Sequence, residues 1–219
     1  MTGDDLYCRT CELPDPDHVT RKPALGCLVE IVETLVLTLI IFWVIQSFVA
    51  QPFRVQQMSM EQTLEPDQYV LVDKLTPRFD TYKHGDIVVF SPPPTWVASG
   101  GEPYIKRVIG VGGDRVEVRD GAVFLNGTKL LEPYVFKEDD GQTQTTETLT
   151  DVNSCNSWVV PDGQLFLMGD HRGNSADSRQ FGPVDVSAVI GRAWLRYWPI
   201  TTFEIIDTPK HPELATPAP

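Results

Sequence analysis

The sequence has few cysteines, and their positions exclude a disulfide-stabilised domain. Four occur in 219 residues, and only Cys155 lies after the apolar segment near the N-terminus. No disulfide can therefore form within the larger, later part of the chain. The remaining close pair, Cys8 and Cys11, would need two more ligands to complete a zinc site. We therefore expect no bound metal ion.

Basic residues are also scarce. The chain has 18 Lys and Arg against 30 Asp and Glu, which gives a formal net charge of -12 at pH 7. Proteins that bind nucleic acid neutralise phosphates with a basic surface, which this composition does not offer. We therefore expect no nucleic-acid partner and interpret the charge as a solvated acidic surface.

Several catalytic motifs are missing as well. No Ser-x-x-Lys occurs, which argues against a penicillin-binding type of Ser/Lys enzyme. The glycine pattern of a dinucleotide-binding turn fails at Arg115, where its third glycine would stand. A Ser-His-Asp triad would have to use His84 or His171, and neither lies in a recognised nucleophile context.

One apolar segment is long enough to cross a membrane. No charged residue occurs from Thr34 to Phe53, and 20 residues at about 1.5 Å each match a hydrocarbon core of about 30 Å. Apolar residues continue upstream, and Pro52 stops a helix downstream. The segment is too long for the apolar region of a cleaved signal peptide, which is about 7–15 residues. We predict an uncleaved transmembrane helix over 24–50.

The charges that flank this helix predict its orientation. Arg9, Arg21 and Lys22 precede it, whereas only Arg54 follows it closely. The positive-inside rule then places residues 1–23 in the cytoplasm as a short polar tail. We expect a single-pass protein of the cell membrane, in contact with the lipid bilayer, whose larger domain is extracytoplasmic.

Residues 51–206 have the pattern of one mainly β domain. Short apolar runs such as Tyr69–Val72 and Asp86–Phe90 are bounded by turn residues, and Asp120-Gly121 and Asn126-Gly127 predict hairpin turns. The polar stretch 137–156 is predicted to be a variable loop insertion. The proline-rich segment 207–219 is predicted to be a disordered tail.

Two residues of this domain have candidate catalytic chemistry. Ser59 lies between two methionines, six residues beyond the uncharged span, where it could face a membrane-embedded substrate. Lys106 lies in an apolar run, and burial would lower its pKa from about 10.4 towards 7–8, as a general base requires. Taken alone, the serine has the ordinary explanation of a polar loop residue, and the lysine that of a side chain reaching water.

Three segments together resemble the type I signal peptidases. Ser-Met-x-x-Thr-Leu at 59–64 resembles that family's nucleophile motif, and Tyr-Ile-Lys-Arg at 104–107, followed by Gly-x-x-Gly-Asp, resembles its general-base motif. Gly-Asp-x-Arg-x-Asn-Ser-x-Asp-Ser-Arg at 169–179 resembles its most specific motif. The order in the chain also agrees, and the resemblance covers roughly residues 28–205.

The resemblance implies a serine endopeptidase with a Ser/Lys pair. Ser59 would attack the scissile carbonyl, and neutral Lys106 would take its proton and later give it to the leaving amine. Such an enzyme needs no cofactor. Its partners would be preproteins that carry signal peptides, which it would cut after small-x-small sequences.

The resemblance also implies supporting residues. Ser175 matches the serine that holds the base lysine by a hydrogen bond, and Asp177 and Arg179 match the pair that orders the loop. Asp170 and Arg172 would do similar structural work. Met60 would lie beside a shallow pocket for the small residue before the cut.

Two departures from the family pattern leave alternatives open. Gln62 replaces the usual proline before Thr63, and Gln57 stands where many members have a small residue, often a serine that donates to the oxyanion. His171 replaces the commoner asparagine, and we interpret this difference as a variation without effect on function. A relative that binds exported peptides without cutting them, or one dedicated to a narrow set of substrates, therefore remains an alternative.

Overall fold

The computed structural model describes residues 24–75, 77, 79–94, 96, 101–147 and 156–215, without side chains at 24–27 and 215. The predicted cytoplasmic tail, with Cys8 and Cys11, therefore lies outside the described residues. The same is true of 148–155 in the predicted loop and of 216–219 at the C-terminus. The chain divides into an N-terminal unit, residues 1–43, and a second unit, residues 44–219.

The N-terminal helix is mostly apolar, with Glu30 and Glu33 in its first half. Helix α1 spans Ala24–Val44, and one π-helical turn, Ile45–Val49, follows it. The 22 residues Leu28–Val49 are long and apolar enough to cross a membrane, and large side chains such as Phe42 are exposed along them. The Thr34 and Thr38 hydroxyls donate to carbonyls four residues earlier, so these polar groups are satisfied within the helix.

The second unit is built from two antiparallel sheets and a four-residue helix, α2, at Ser178–Phe181. The strands of the larger sheet are β1 (Ala50–Arg54), β2 (Tyr69–Asp73), β3 (Ile87–Phe90), β4 (Tyr104–Val111), β9 (Gln164–Met168), β10 (Val184–Asp185), β11 (Val189–Trp198) and β12 (Glu204–Ile205). The strands of the smaller sheet are β5 (Arg115–Arg119), β6 (Ala122–Leu125), β7 (Thr128–Lys129) and β8 (Ser157–Val159). The predicted mainly β fold with one N-terminal apolar helix is confirmed.

Strand β4 lies inside the larger sheet. The strand order is β1-β2-β11-β3-β4-β9-β10, with β12 paired to β11. Residues Tyr104 to Gly110 of β4 are all buried, because elements pack on both faces of this part of the sheet. The register places Lys106 opposite Val88 of β3, and Arg107 opposite Ile87 of β3 and Met168 of β9. Successive side chains of a strand point to opposite faces, so these two cations face different surroundings.

The smaller sheet contains the predicted hairpin turns. Asp120 and Gly121 join β5 to β6, and Asn126 and Gly127 join β6 to β7, with φ angles of 53°, 71°, 52° and 84°. Two consecutive positive φ angles are typical of the type I′ turn, whose twist matches that of the flanking strands. Both hairpins that the sequence predicts are confirmed.

The predicted disorder of the C-terminal tail is not observed in its described part. The Thr208 hydroxyl donates to the Asp86 carboxylate at 3.0 Å, and Leu214 packs on the core cluster of the smaller sheet. The Glu213 carboxylate accepts the backbone N–H of Leu131 at 2.9 Å. Proline content suggested disorder, but one apolar side chain and these polar contacts fix 207–215 on the domain.

Candidate active site

Ser59 lies in a tight turn that is fixed by its own backbone. Met58–Met60 form one 3₁₀ turn, the N–H groups of Thr63 and Leu64 donate to the Met60 carbonyl, and Ser59 is buried. Leu64, which is fully buried in the core cluster beside β1 and β2, anchors the end of the segment. The hydroxyl is therefore held at a defined position beside the larger sheet.

Lys106 reaches this hydroxyl from β4. Its Nζ lies 2.6 Å from Ser59 Oγ, and only 1% of the residue is exposed. The Tyr104 ring, two residues earlier on the same strand face, has its centroid 5.4 Å from Nζ. The structure thus brings together the two residues that the sequence predicts as nucleophile and base.

The surroundings of Lys106 favour its neutral form. Burial lowers the pKa of Lys106 from 10.5 to about 8, against the opposing effects of Asp177 and Asp170. These carboxylates do not cancel the effect of burial, because each is bonded to an arginine. About a tenth of this amine is then unprotonated at pH 7 and able to accept a proton.

Asp177 and Arg179 fix the loop beside the lysine. The Arg179 guanidinium donates to both carboxylate oxygens of Asp177, and Asp177 also accepts the N–H of Gly169 and caps α2 by accepting the N–H of Arg179. Burial acts to raise the pKa of Asp177, but Arg179 and these hydrogen bonds hold that pKa below its usual value. Position 169 requires glycine, because a Cβ there would collide with Ser175 Oγ and the Ser59 carbonyl.

Ser175 does not make the hydrogen bond to Lys106 that the resemblance implies. Its Oγ is buried and has no hydrogen-bond partner among the described residues. The hydroxyl does lie near enough to Asp177 to help lower the pKa of that carboxylate, although it does not meet hydrogen-bonding geometry. Ser175 is therefore a packing neighbour of the site, with its Oγ lying against Gly169.

Asp170 holds the nucleophile segment through its carboxylate. Its two oxygens accept from Arg107 Nε and Nη2, at 2.8 and 2.6 Å, and one of them accepts from the Thr63 hydroxyl at 2.6 Å. The Arg107 guanidinium also lies 3.9 Å from the ring centroid of Tyr134. Arg107 and Thr63 stand inside the recognised motifs, but the sequence alone did not reveal that they meet at one carboxylate.

Arg172 connects the site to the 137–156 stretch, which the sequence predicts to be a variable loop insertion. It pairs with Glu132, donates to the Thr146 hydroxyl at 2.7 Å and to the Gly169 carbonyl at 3.0 Å. The Glu147 carbonyl accepts from Arg179 at 3.0 Å. The described part of the 137–156 stretch therefore supports the site. No motif marks Glu132 or Thr146, so only the burial of Arg172 could have indicated that a partner was needed.

The substrate-binding role predicted for Met60 does not match its position. Met60 is fully buried in the core, whereas Met58 is half exposed and lines the cavity beside Ser59. A 3₁₀ turn has three residues, so the side chains of Met58 and Met60, two positions apart, point about 120° away from each other. This cavity holds about 500 Å³, and its lining includes Gln57, Tyr104 and Ser175.

The described histidines are bonded elsewhere. Nδ1 of His171 lies 2.6 Å from the Glu61 carboxylate, Nε2 of His84 lies 2.7 Å from Asp114, and Nδ1 of His211 lies 2.9 Å from Glu213. Among the hydrogen bonds of the described residues, none joins a histidine to Ser59. Nor do three His, Cys, Asp or Glu residues cluster as a metal site would require in the described part of the chain.

A serine hydroxyl in contact with a buried amine, at the edge of a cavity, is the arrangement of an acyl-transferring serine hydrolase. The comparisons with known proteins agree with that class. The model of the family "Signal peptidase, peptidase S26" matches residues 28–198, and the chain belongs to this family of serine peptidases.

Curated relatives have similar length. Signal peptidase IB of Staphylococcus aureus (strain MRSA252) is 31% identical over 191 residues, which cover 84% of this chain and 96% of the relative. A probable signal peptidase I-1 of Synechocystis sp. is 34% identical over 173 residues, covering 78% and 82%. Among solved structures, a signal peptidase I from Enterococcus faecalis V583 matches with 31% identity and a TM-score of 0.37, covering 52% of this chain and 97% of that one.

Proposed function

We propose that this protein is a membrane-bound type I signal peptidase that removes signal peptides from exported preproteins, with Ser59 as nucleophile and Lys106 as general base. The observation that carries the proposal is the 2.6 Å distance from Ser59 Oγ to the buried amine of Lys106. Since burial lowers the pKa of that amine to about 8, it can accept a proton under ordinary conditions.

The chemistry follows from this geometry. Ser59 Oγ attacks the scissile carbonyl carbon while its proton moves to Lys106 Nζ. The C–N bond then breaks, the same proton passes to the leaving amine, and the signal peptide stays on Ser59 as an ester. Lys106 next takes a proton from water, whose oxygen attacks the ester, and the proton returns to Ser59 Oγ as the acid product leaves.

The backbone N–H of Ser59 is the first candidate donor to the developing oxyanion. A single such donor contributes about 10²–10³ in rate. The family pattern often places a serine at the position of Gln57, and here Gln57 is exposed and lines the cavity. Its longer side-chain amide is the candidate second donor.

The membrane segment gives the enzyme its location. Leu28–Val49 would hold the protein in the bilayer, with the N-terminus in the cytoplasm and the catalytic domain outside. Substrates would be preproteins with small side chains at the first and third positions before the cut. Signal peptides are themselves membrane-embedded, so an anchored enzyme meets them in the same two-dimensional space.

The test is cleavage of a preprotein with an Ala-x-Ala site by the purified protein in detergent. We expect a cut after the second alanine, loss of cleavage in Ser59→Ala and Lys106→Ala, and no cut when the alanine before the bond is replaced by Phe. Binding of the uncleaved peptide without any cutting would contradict the proposal and favour the peptide-binding relative. Cutting of a few preproteins only would favour the narrow-substrate relative.

A further inference from the structure

Three segments of the chain are hydrogen-bonded to one another beside the nucleophile. The backbone N–H of His171 donates to the Ser59 carbonyl at 3.1 Å, and the backbone N–H of Phe136 donates to the Asp170 carbonyl at 3.0 Å. The nucleophile turn, the segment beginning at 136 and the 169–175 loop are thus joined by their main chains. The side chains at these junctions add contacts that no catalytic step uses.

The first of these contacts is a carboxylate–imidazole pair. The Glu61 carboxylate lies 2.6 Å from His171 Nδ1, and the two side chains are only 19% and 16% exposed. The His171 ring is also stacked on the Phe136 ring, with 4.1 Å between the ring centroids and an angle of 12° between the ring planes. The imidazole is therefore fixed by a ring and by a carboxylate two residues after Ser59.

The second contact starts from a strained residue. Gln62 has a φ of 76°, in the left-handed region that non-glycine residues rarely adopt. Its side-chain Oε1 accepts the backbone N–H of Lys137 at 2.8 Å, and its own backbone N–H donates to the Glu65 carboxylate at 3.1 Å. A backbone held in this region needs surrounding contacts that determine it, and these two bonds supply them.

We propose that Glu61, Gln62 and His171 are positioning residues that hold Ser59 in reach of Lys106, with Phe136 and Lys137 as the support against which they are held. The inference rests on the proposed function. Proline fixes φ near -65°, so the proline of the family pattern cannot stand at a residue with φ of 76°. In this chain, side-chain contacts to another segment replace the rigidity that a proline ring would provide. Such a device acts on the serine–lysine distance, and therefore on kcat more than on KM.

The experiment compares variants that lose a contact with variants of similar size that retain it. Glu61→Met and Gln62→Met remove the acceptors, whereas Glu61→Gln and Gln62→Glu retain an acceptor oxygen. His171→Phe retains the stack on Phe136 but removes the bond to Glu61. Cleavage of the Ala-x-Ala preprotein gives kcat and KM for each protein in detergent, and thermal unfolding checks that each is folded.

We expect kcat to fall about 10- to 100-fold in the three acceptor-loss or bond-loss variants, with KM changed less than about twofold, because small displacements of reacting groups have effects of this size. Glu61→Gln and Gln62→Glu should recover most of kcat. The double variant Glu61→Met/His171→Phe should lose no more than the worse single variant, since both remove one interaction.

The matched control is His84→Phe. His84 forms the same kind of pair with Asp114, at 2.7 Å, and Asp114 keeps its bonds from Val111 and Asn126. The control should cleave like wild type. Folded loss variants with wild-type kcat, a loss confined to KM, or an equal loss in His84→Phe would each overturn the inference. An inactive wild type would instead remove the proposed function.

Discussion

Lys106 and Arg107 are neighbours on β4, each only 1% exposed, and their electrostatic situations are opposite. Arg107 donates two hydrogen bonds to the Asp170 carboxylate and stacks on Tyr134. Burial acts to lower the pKa of Arg107, but Asp170 outweighs it and that pKa is raised. The hydrogen-bond partner of the Lys106 amine is the Ser59 hydroxyl, which carries no charge, and burial lowers the pKa of Lys106 to about 8.

The comparison shows that burial alone does not decide what a buried cation does. Desolvation disfavours the charged form of both side chains, and the difference lies in the partner. Asp177 and Asp170 would charge the lysine if they were free, but Arg179 and Arg107 engage them in two-bond pairs. The arginines thus leave the lysine without a counter-ion, which is the condition under which it can act as a base.

The largest expected effect comes from making Lys106 resemble its neighbour. Lys106→Arg should abolish cleavage, a loss of about 10²–10⁴ or more, because guanidinium stays protonated at any working pH and cannot accept a proton. Cleavage assays of the purified variant measure this. Lys83→Arg, at an exposed lysine on the surface, should cleave like wild type. Cleavage that survived in Lys106→Arg would show that the base lies elsewhere.

The second effect comes from removing the paired cation. Arg107→Met leaves the buried Asp170 carboxylate without its partner and should lower the free energy of unfolding by about 3–5 kcal/mol. Denaturant unfolding followed by tryptophan fluorescence measures it. Arg107→Met/Asp170→Leu removes both charges and should recover part of the loss. A double variant that lost the sum of the two single losses would contradict the interpretation as an ion pair.

The third effect has the opposite sign. Lys106→Met replaces a buried amine without a counter-ion by an apolar side chain of similar size. The free energy of unfolding should rise by up to roughly 3 kcal/mol at pH 7, which corresponds to a pKa lowered from 10.5 to about 8. Between pH 8 and 10.5 the unfolded state of the wild type binds more protons than the folded state, so its stability rises with pH. The advantage of Lys106→Met should therefore be full below pH 8 and vanish above 10.5. A variant less stable than wild type at pH 7 would contradict this.

The smallest effect requires no mutation. Since neutral Lys106 is the active form and its pKa is about 8, kcat/KM should rise about tenfold per pH unit below that value and level off above it. A pH series with the Ala-x-Ala preprotein measures the midpoint. A midpoint near 6.5 would point to a histidine, and an activity that fell as pH rose would contradict a lysine base.

The sequence predicted the elements whose causes are local. An uncharged span of bilayer length, alternating short strands and two hairpin turns are readable from neighbouring residues, and the helix and both turns are present. Ser59 and Lys106 were predicted as a pair from motifs, and the structure brings them within hydrogen-bonding distance. Their catalytic roles stay predictions.

Two kinds of feature could not be predicted from the sequence: contacts between distant segments, and which side chains of a short turn face the cavity. Arg172 pairs with Glu132, 40 residues away, and no pattern connects them. The choice between Met58 and Met60 at the cavity depends on how one 3₁₀ turn is rotated. The described C-terminal segment is fixed by Leu214 on the core and by the hydrogen bonds of Thr208 and Glu213, and only the folded domain brings these partners together.

The left-handed backbone of Gln62 also has an evolutionary consequence. A glutamine codon becomes a proline codon by one base change, so this substitution arises repeatedly in any population. A proline ring cannot adopt a φ of 76°, and every such mutant would have to rebuild the turn that carries Ser59. Proline can therefore be accepted at this position only after other substitutions have reshaped the turn.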